Sequence, residues 1–169
     1  MLERKITLKL IEWKSSSNKK ALLISGARQI GKTSVIREFG KKHYKVFCEL
    51  NFLLQPQGKS IFLQGGTIEH YITNFTAFFN KSLIPGQTLI FFDEIQECPE
   101  ARTAIKTLVQ DGRFDYIESG SLLGINYKEV PSYPVGFEEQ ITMYPMSFNE
   151  FCIANSVPNE TLLYLENCY

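Results

Sequence analysis

Cysteine is scarce and scattered. The four, Cys48, Cys98, Cys152 and Cys168, form no CxxC pair, and only two histidines, His43 and His70, accompany them. Zinc-binding spacing is therefore missing, and isolated thiols suit a reducing cytoplasm, the expected location. Long apolar runs are missing too. None approaches the roughly 20 residues of a membrane span. The opening "MLERKITLKLIEWKSS" is interrupted by Lys, Glu and Arg where a signal peptide needs an unbroken apolar core. No membrane partner is expected. Nor is there excess charge. The chain of 169 residues balances 18 Lys+Arg against 18 Asp+Glu, which excludes an overall pull towards nucleic acid or anionic lipid. Lys19, Lys20, Lys41, Lys42 and Lys45 cluster in sequence, but read as a solvated face, so nucleic acid is not supported as a partner. An Asn-Lys-x-Asp guanine reader is absent: "NKSL" carries Leu83 in the Asp position and precedes the acidic strand end described below.

Arginine also runs out, the last being Arg113. Residues 1–113 hold 17 Lys+Arg against ten acidic residues, a net of +7; residues 114–169 hold Lys128 against eight, a net of −7. That split points to internal electrostatic contact, to a partner surface, or to a solvated acidic half. An arginine-bearing lid of the small-molecule kinase kind has no source in the acidic half.

What is present is alternation. Leu2, Ile6, Leu10 and Trp13 recur every three or four residues, predicting an N-terminal amphipathic helix within 1–18 that ends at "SSSNKK". "ALLIS" (21–25) reads as a buried strand, "KTSVIREFGKK" as a helix and "YKVFCEL" (44–50) as a second strand. "NFLLQPQGKSIFLQGG" reads as irregular, and "TIEHYITNFTAFFNKSL" as a helix with an aromatic core stripe. "QTLIFF" (87–92) is the strongest strand, followed by a helix from Pro99 and a strand at 114–119. Residues 124–136 read as a loop and "EEQITMYP" as a fifth strand. Ser147 and Glu150 form a capping box that starts a helix. Continuously apolar strands alternating with helices predict an α/β fold: a parallel sheet of about five strands sandwiched by helices. The expected division is 1–18 for the first helix, 19–150 for the core and 151–169 for the start of a helical region. The last helix stops without a breaker, as if cut within something larger.

Chemistry concentrates in "GARQIGKTS". Gly26, Gly31, Lys32 and Thr33 satisfy G-x-x-x-x-G-K-[ST]. A chance match in such a chain is on the order of one in a few hundred, given glycine near 7% of residues. The loop Gly26, Ala27, Arg28, Gln29, Ile30, Gly31, Lys32, Thr33 and Ser34 is the candidate phosphate cradle. Gly26 lets the chain leave the strand, and Gly31 lets the backbone wrap close to an anion. The amides between Arg28 and Ser34 form a nest beside a helix N-terminus. Lys32 supplies a point charge to the β- and γ-phosphates, and the Thr33 hydroxyl is small enough to join a Mg²⁺ shell. The metal needs a carboxylate from another strand end, and "LIFFDE" supplies Asp93 about sixty residues on. Glu94 is the natural base for the attacking water. "YIESGS" ends another strand with Ser119 and Ser121, either of which could sense the γ-phosphate or the lytic water.

"SGARQIGKTS", "FFDEIQECPE", "YIESGSLLG" and "MYPMSFNEF" occur in this order. Together they resemble the bacterial and archaeal AAA-type P-loop ATPases that carry an N-terminal ATPase domain and a C-terminal domain of unknown function. The resemblance spans roughly Lys5 to Phe151. It implies ATP and Mg²⁺ as cofactors and a core of the additional-strand, catalytic-glutamate type. In that core, Lys32 and Glu94 are catalytic, Thr33 and Asp93 hold the metal, and Ser119 or Ser121 is the sensor. It also implies a further domain beyond Tyr169 as the partner that moves, and a possible homo-oligomer. Similar proteins often carry a basic residue where this chain has "PVGFEEQ", with Phe137, Glu138 and Glu139 and no base. Two readings follow, an ATPase that drives an attached domain and a switch that binds ATP with little hydrolysis. Arg28 and Arg102, the latter across a subunit interface, are the candidates for a cation on the γ-phosphate. With no arginine beyond Arg113 to act from a lid, the isolated 169-residue chain is expected to hydrolyse slowly. A steady-state turnover near about ten per second, a typical enzyme rate, would contradict that expectation.

Overall fold

A computed structural model of the chain describes residues 4–121 and 134–166. Helix α1 (Lys5–Ser15) leads into strand β1 (Ala21–Gly26), helix α2 (Lys32–His43) and strand β2 (Val46–Asn51). Two short helical segments follow, a 3₁₀ turn (Pro56–Lys59) and α3 (Ser60–Leu63), then α4 (Ile68–Phe79) and β3 (Thr88–Asp93). A 3₁₀ turn at Ile95–Glu97 precedes α5 (Pro99–Asp111), β4 (Asp115–Ser121) and β5 (Glu138–Met143). Helices α6 (Phe148–Ala154) and α7 (Asn159–Glu166) close the described chain.

The strands form one sheet in the order β2-β3-β4-β1-β5, with every pair parallel. β4 is therefore inserted between the loop-bearing β1 and the acidic β3, the additional-strand arrangement. All six residues of β1 and of β3 are buried. Alternate side chains leave by opposite faces, which is why these strands read as unbroken apolar runs. Leu22, Ile24, Leu89, Phe91 and Ile117 pack with Ile6, Leu10 and Trp13 of α1 and with Ile36 and Phe39 of α2. Leu23, Leu50, Ile90, Phe92 and Tyr116 pack with α3, α4 and α5 on the other face.

Strands β2, β3 and β5 shift by one or two residues at their ends, and three differences from the sequence reading have a visible physical reason. The segment at 51–66 is not irregular throughout, because its aromatics nucleate local helix. The Phe62 ring lies 5.6–5.9 Å from those of Phe52, Tyr71, Phe75 and Phe92 and docks α3 into the core. Helix α4 stops at Phe79 rather than Leu83, since Asn80 turns left-handed with φ 50°. Strand β4 continues through Ser121, because Gly120 and Ser121 still pair with Ser25 and Gly26. Of the loop expected at 124–136, residues 124–133 lie outside the described residues, as do Leu2 and Cys168. Cys48, Cys98 and Cys152 are buried free thiols.

The charge split resolves partly into internal pairs. Lys19 meets Asp115 at 2.8 Å, Arg4 meets Glu150 at 3.2 Å, and Arg102 grips Glu138 through two bonds of 3.0 and 2.8 Å. In each, the cation comes from the basic segment and the carboxylate from the acidic one.

Glu118 stands apart. It lies on β4 in register with Leu23 and Phe92, is fully buried, and neither carboxyl oxygen finds a hydrogen bond among the described residues. Burial raises its pKa well above the usual carboxyl range and Glu138 adds to the rise, while Arg102 opposes it. A carboxyl whose folded-state pKa is raised keeps its full stabilising share below the unfolded pKa of about 4.3 and loses it as pH climbs towards the folded value. Substituting Glu118→Gln should remove that loss. Denaturant unfolding at pH 5 and pH 8 should show wild type weakening with pH more steeply than the variant, which at pH 8 is at least as stable as wild type.

Candidate functional site

β1 and β3 point the same way, so their C-terminal ends open on one edge of the sheet. There the chain leaves Gly26 into the 27–31 loop and enters α2. Gly26 has no room for a side chain: a Cβ would sit 2.4 Å from the Met143 carbonyl of β5 and 2.8 Å from Ile30 Cδ1. Gln29 and Gly31 adopt positive φ, 63° and 94°. Such left-handed residues within a turn point successive amides to one side, which makes a concave anion-binding nest. Helix α2 starts at Lys32, with Gly31 as an N-cap that supplies no side-chain bond and with no acidic residue in its first turn. The caps of α4 and α6, by contrast, are filled by Thr67 and Ser147. The first amides of α2 thus keep their capacity, and the positive end of the helix dipole, for an external acceptor.

Lys32 is buried, and its Nζ donates to the carbonyls of Gly26 (3.0 Å) and Ala27 (2.6 Å). Burial lowers its pKa; Glu94 and Asp93 oppose the shift and Arg28 adds to it. Thr33 Oγ1 lies 3.2 and 3.1 Å from the two carboxylate oxygens of Asp93. Asp93 itself is 2% exposed, so its charge needs donors. Ser119 donates to Oδ1, and Asn51 Nδ2 donates to Oδ2 at 2.8 Å. The carboxylate plane is thereby fixed from two neighbouring strands, β2 and β4, and from helix α2.

Glu94 follows in the left-handed region, φ 56° and ψ 49°. For a residue with a side chain this costs on the order of 1–3 kcal/mol. It turns the chain so that Glu94 lines the same cleft as Arg28, Gln29, Gly31, Lys32, Thr33 and Ser34, a space of about 460 Å³ rimmed by Leu53. The Glu94 carboxylate accepts from Gln96 Nε2, while the buried Oε1 of Gln96 has no partner among the described residues. Ser34 and Arg28 are exposed at the mouth.

The AAA domain family matches residues 18–152, four-fifths of the chain. The chain belongs to that family. As an AAA domain it is a nucleotide-binding domain of the P-loop ATPase type. No curated protein matches it detectably. Among solved structures it is similar to a chain of the Drosophila ORC bound to DNA (TM-score 0.57, 13% identity, covering 85% of this chain and 43% of that one). It is also similar to the Aeropyrum pernix ORC1 protein in complex with DNA (TM-score 0.53, 15% identity, 87% and 45%). At such identities the likeness is one of fold. The AAA domain described here spans less than half the length of either chain.

One sequence expectation changes. Arg102 was a candidate to act across a subunit interface; it is 6% exposed and held by Glu138 inside this chain. Of the two candidate sensors, Ser119 donates its hydroxyl to Asp93, and Ser121 pairs in register with Gly26 at the foot of the loop. Among the described residues, no cluster of three or more His, Cys, Asp or Glu could hold a metal, and no helix is long and apolar enough to cross a membrane. Sequence reasoning missed Asn51 and Gln96. A polar residue closing an apolar strand was the available signal for Asn51, which pairs with Asp93 in register.

Proposed function

We propose that this AAA domain binds ATP at the loop after β1 and hydrolyses its γ-phosphate, slowly as the piece described here, with the strain of binding and release passed to an attached domain. The contact between Thr33 and Asp93 carries the reading, because it unites two motifs that lie sixty residues apart (|i−j| = 60). The loop amides from Arg28 to Ser34 and the α2 N-terminus receive the phosphate oxygens. Lys32 exchanges its contacts with the Gly26 and Ala27 carbonyls for the β- and γ-phosphates, and gains a charge partner for a buried ammonium.

Thr33 and Asp93 fit a Mg²⁺ ion: one hydroxyl and one carboxylate, adjacent, hard, and held in orientation by Ser119 and Asn51. Mg²⁺ takes few protein ligands and keeps waters and phosphate oxygens for the rest, so the missing carboxylate cluster is no obstacle. When bound, it neutralises charge on the transferring phosphoryl group. In this reading Glu94 accepts the proton of the attacking water, and Ser121, at the end of β4, senses the γ-phosphate. Adenine preference rests on the family.

The switch reading keeps one specific support. Gln96 holds the Glu94 carboxylate, and Arg102 is sealed away, so the described chain offers Lys32 and the exposed Arg28 as its cations at the cleft. Both readings require nucleotide binding, and a titration of ATP with and without Mg²⁺ decides it. Lys32→Ala should weaken Mg²⁺-ATP by tenfold or more, and an unchanged affinity would remove the site. Glu94→Gln should keep affinity within about threefold while turnover drops by two or more orders of magnitude, in line with loss of a general base.

A further inference from the structure

Arginine 4 lies outside every motif, yet it reaches the phosphate loop. It is 8% exposed, and its three guanidinium nitrogens serve three different segments. Nη1 donates to the Ile30 carbonyl at 3.1 Å, Nη2 to the Tyr144 carbonyl at 2.9 Å just past β5, and Nε to Glu150 Oε1 at 3.2 Å. Glu150, also 8% exposed, is fully engaged in turn. Its Oε1 accepts the Lys5 amide at 2.8 Å and its Oε2 the Ser147 amide at 2.7 Å, within the capping box of α6. Burial works against its ionisation, but the Ser147 and Lys5 amides and Arg4 outweigh it and bring its pKa down to about 2. Glu150 is therefore held as a carboxylate beside the Arg4 guanidinium.

We propose that Arg4 is a positioning residue for the phosphate loop, with Glu150 setting the direction of its guanidinium. The inference rests on the nucleotide reading of that loop. The carbonyl of Ile30 and the amide of Gly31 belong to one planar peptide unit and point in opposite directions. Holding the carbonyl on Arg4 aims the Gly31 amide away from α1, into the nest. That peptide needs an anchor, because glycine rotates about its backbone more freely than any other residue. Gly31 at φ 94° sits beside the clamp: a Cβ there would lie 3.7 Å from Arg4 Nη1. Because Glu150 cancels its charge nearby, Arg4 acts by orientation more than by long-range attraction. The clamp also joins the entry to α1, the end of β5 and the cap of α6 to the loop, across 146 residues of sequence.

The test compares wild type, Arg4→Ala, Arg4→Lys, Glu150→Gln and Lys32→Ala by direct titration with ATP and with ADP, together with steady-state turnover and thermal unfolding. Arg4→Ala should raise Kd for both nucleotides about tenfold, with turnover at saturating ATP within about threefold of wild type. Arg4→Lys, which cannot span three acceptors, should fall between, and Glu150→Gln should raise Kd a few-fold. A merely structural role would instead reduce the binding-competent fraction and apparent turnover, leaving Kd unchanged. Nucleotide affinity within twofold of wild type in a folded Arg4→Ala protein, while Lys32→Ala loses it, overturns the inference and leaves the site standing. If Lys32→Ala also binds normally, both fall. Should Arg4→Ala fail to fold, Arg4→Lys and Glu150→Gln decide, and wild-type Kd in both overturns the proposal.

Discussion

The site depends on one constraint: β1 and β3 run parallel with β4 between them, so the loop after Gly26 and the carboxylate of Asp93 must share an edge. Parallel strands place all their C-terminal ends together, and side chains that end them converge without any loop having to reach. Thr33 touches Asp93 because α2 starts where β1 ends. Ser119 and Asn51 touch Asp93 because β4 and β2 flank β3. A one-residue slip in register would turn Asp93 towards the other face and dismantle the arrangement.

Burial sets the electrostatic terms. Lys32, Asp93 and Glu150 are all nearly inaccessible, and each is compensated in a different currency. Lys32 uses carbonyls of its own loop, Asp93 uses three side-chain donors, and Glu150 uses two amides and a guanidinium. Glu118 lacks such compensation and is best accommodated as a neutral carboxyl. The Arg102–Glu138 pair shows how the same framework spends an arginine on architecture rather than chemistry. That choice accords with a core in which the cleft's charge comes from Lys32 and Arg28.

How much of this could be read beforehand follows from what is local and what is not. The loop was legible because a turn with no room for a side chain at Gly26 and a positive φ at Gly31 calls for glycine at both. The strands were legible because two-sided burial leaves continuous apolar runs. The Ser147–Glu150 cap was legible as a three-residue pattern. Arg4 was not, since its partners Ile30, Tyr144 and Glu150 come together only through the sheet. The contact of Ser119 with Asp93 was hidden for a similar reason: which of two serines faces Asp93 depends on strand register, not on the motif. The helix at Ser60–Leu63 was hidden by Pro56 and Gly58, and emerges because Phe62 has an aromatic pocket to fill.

The central claim is that the loop amides and the Thr33–Asp93 pair together surround a metal-bound triphosphate. Electron paramagnetic resonance with Mn²⁺ in place of Mg²⁺ tests it most directly. With ATP present, the account predicts a protein-bound Mn²⁺ signal showing phosphorus couplings, tight in wild type and markedly weakened in both Thr33→Ala and Asp93→Asn. Mn²⁺-ATP bound equally well by wild type and both variants would contradict it.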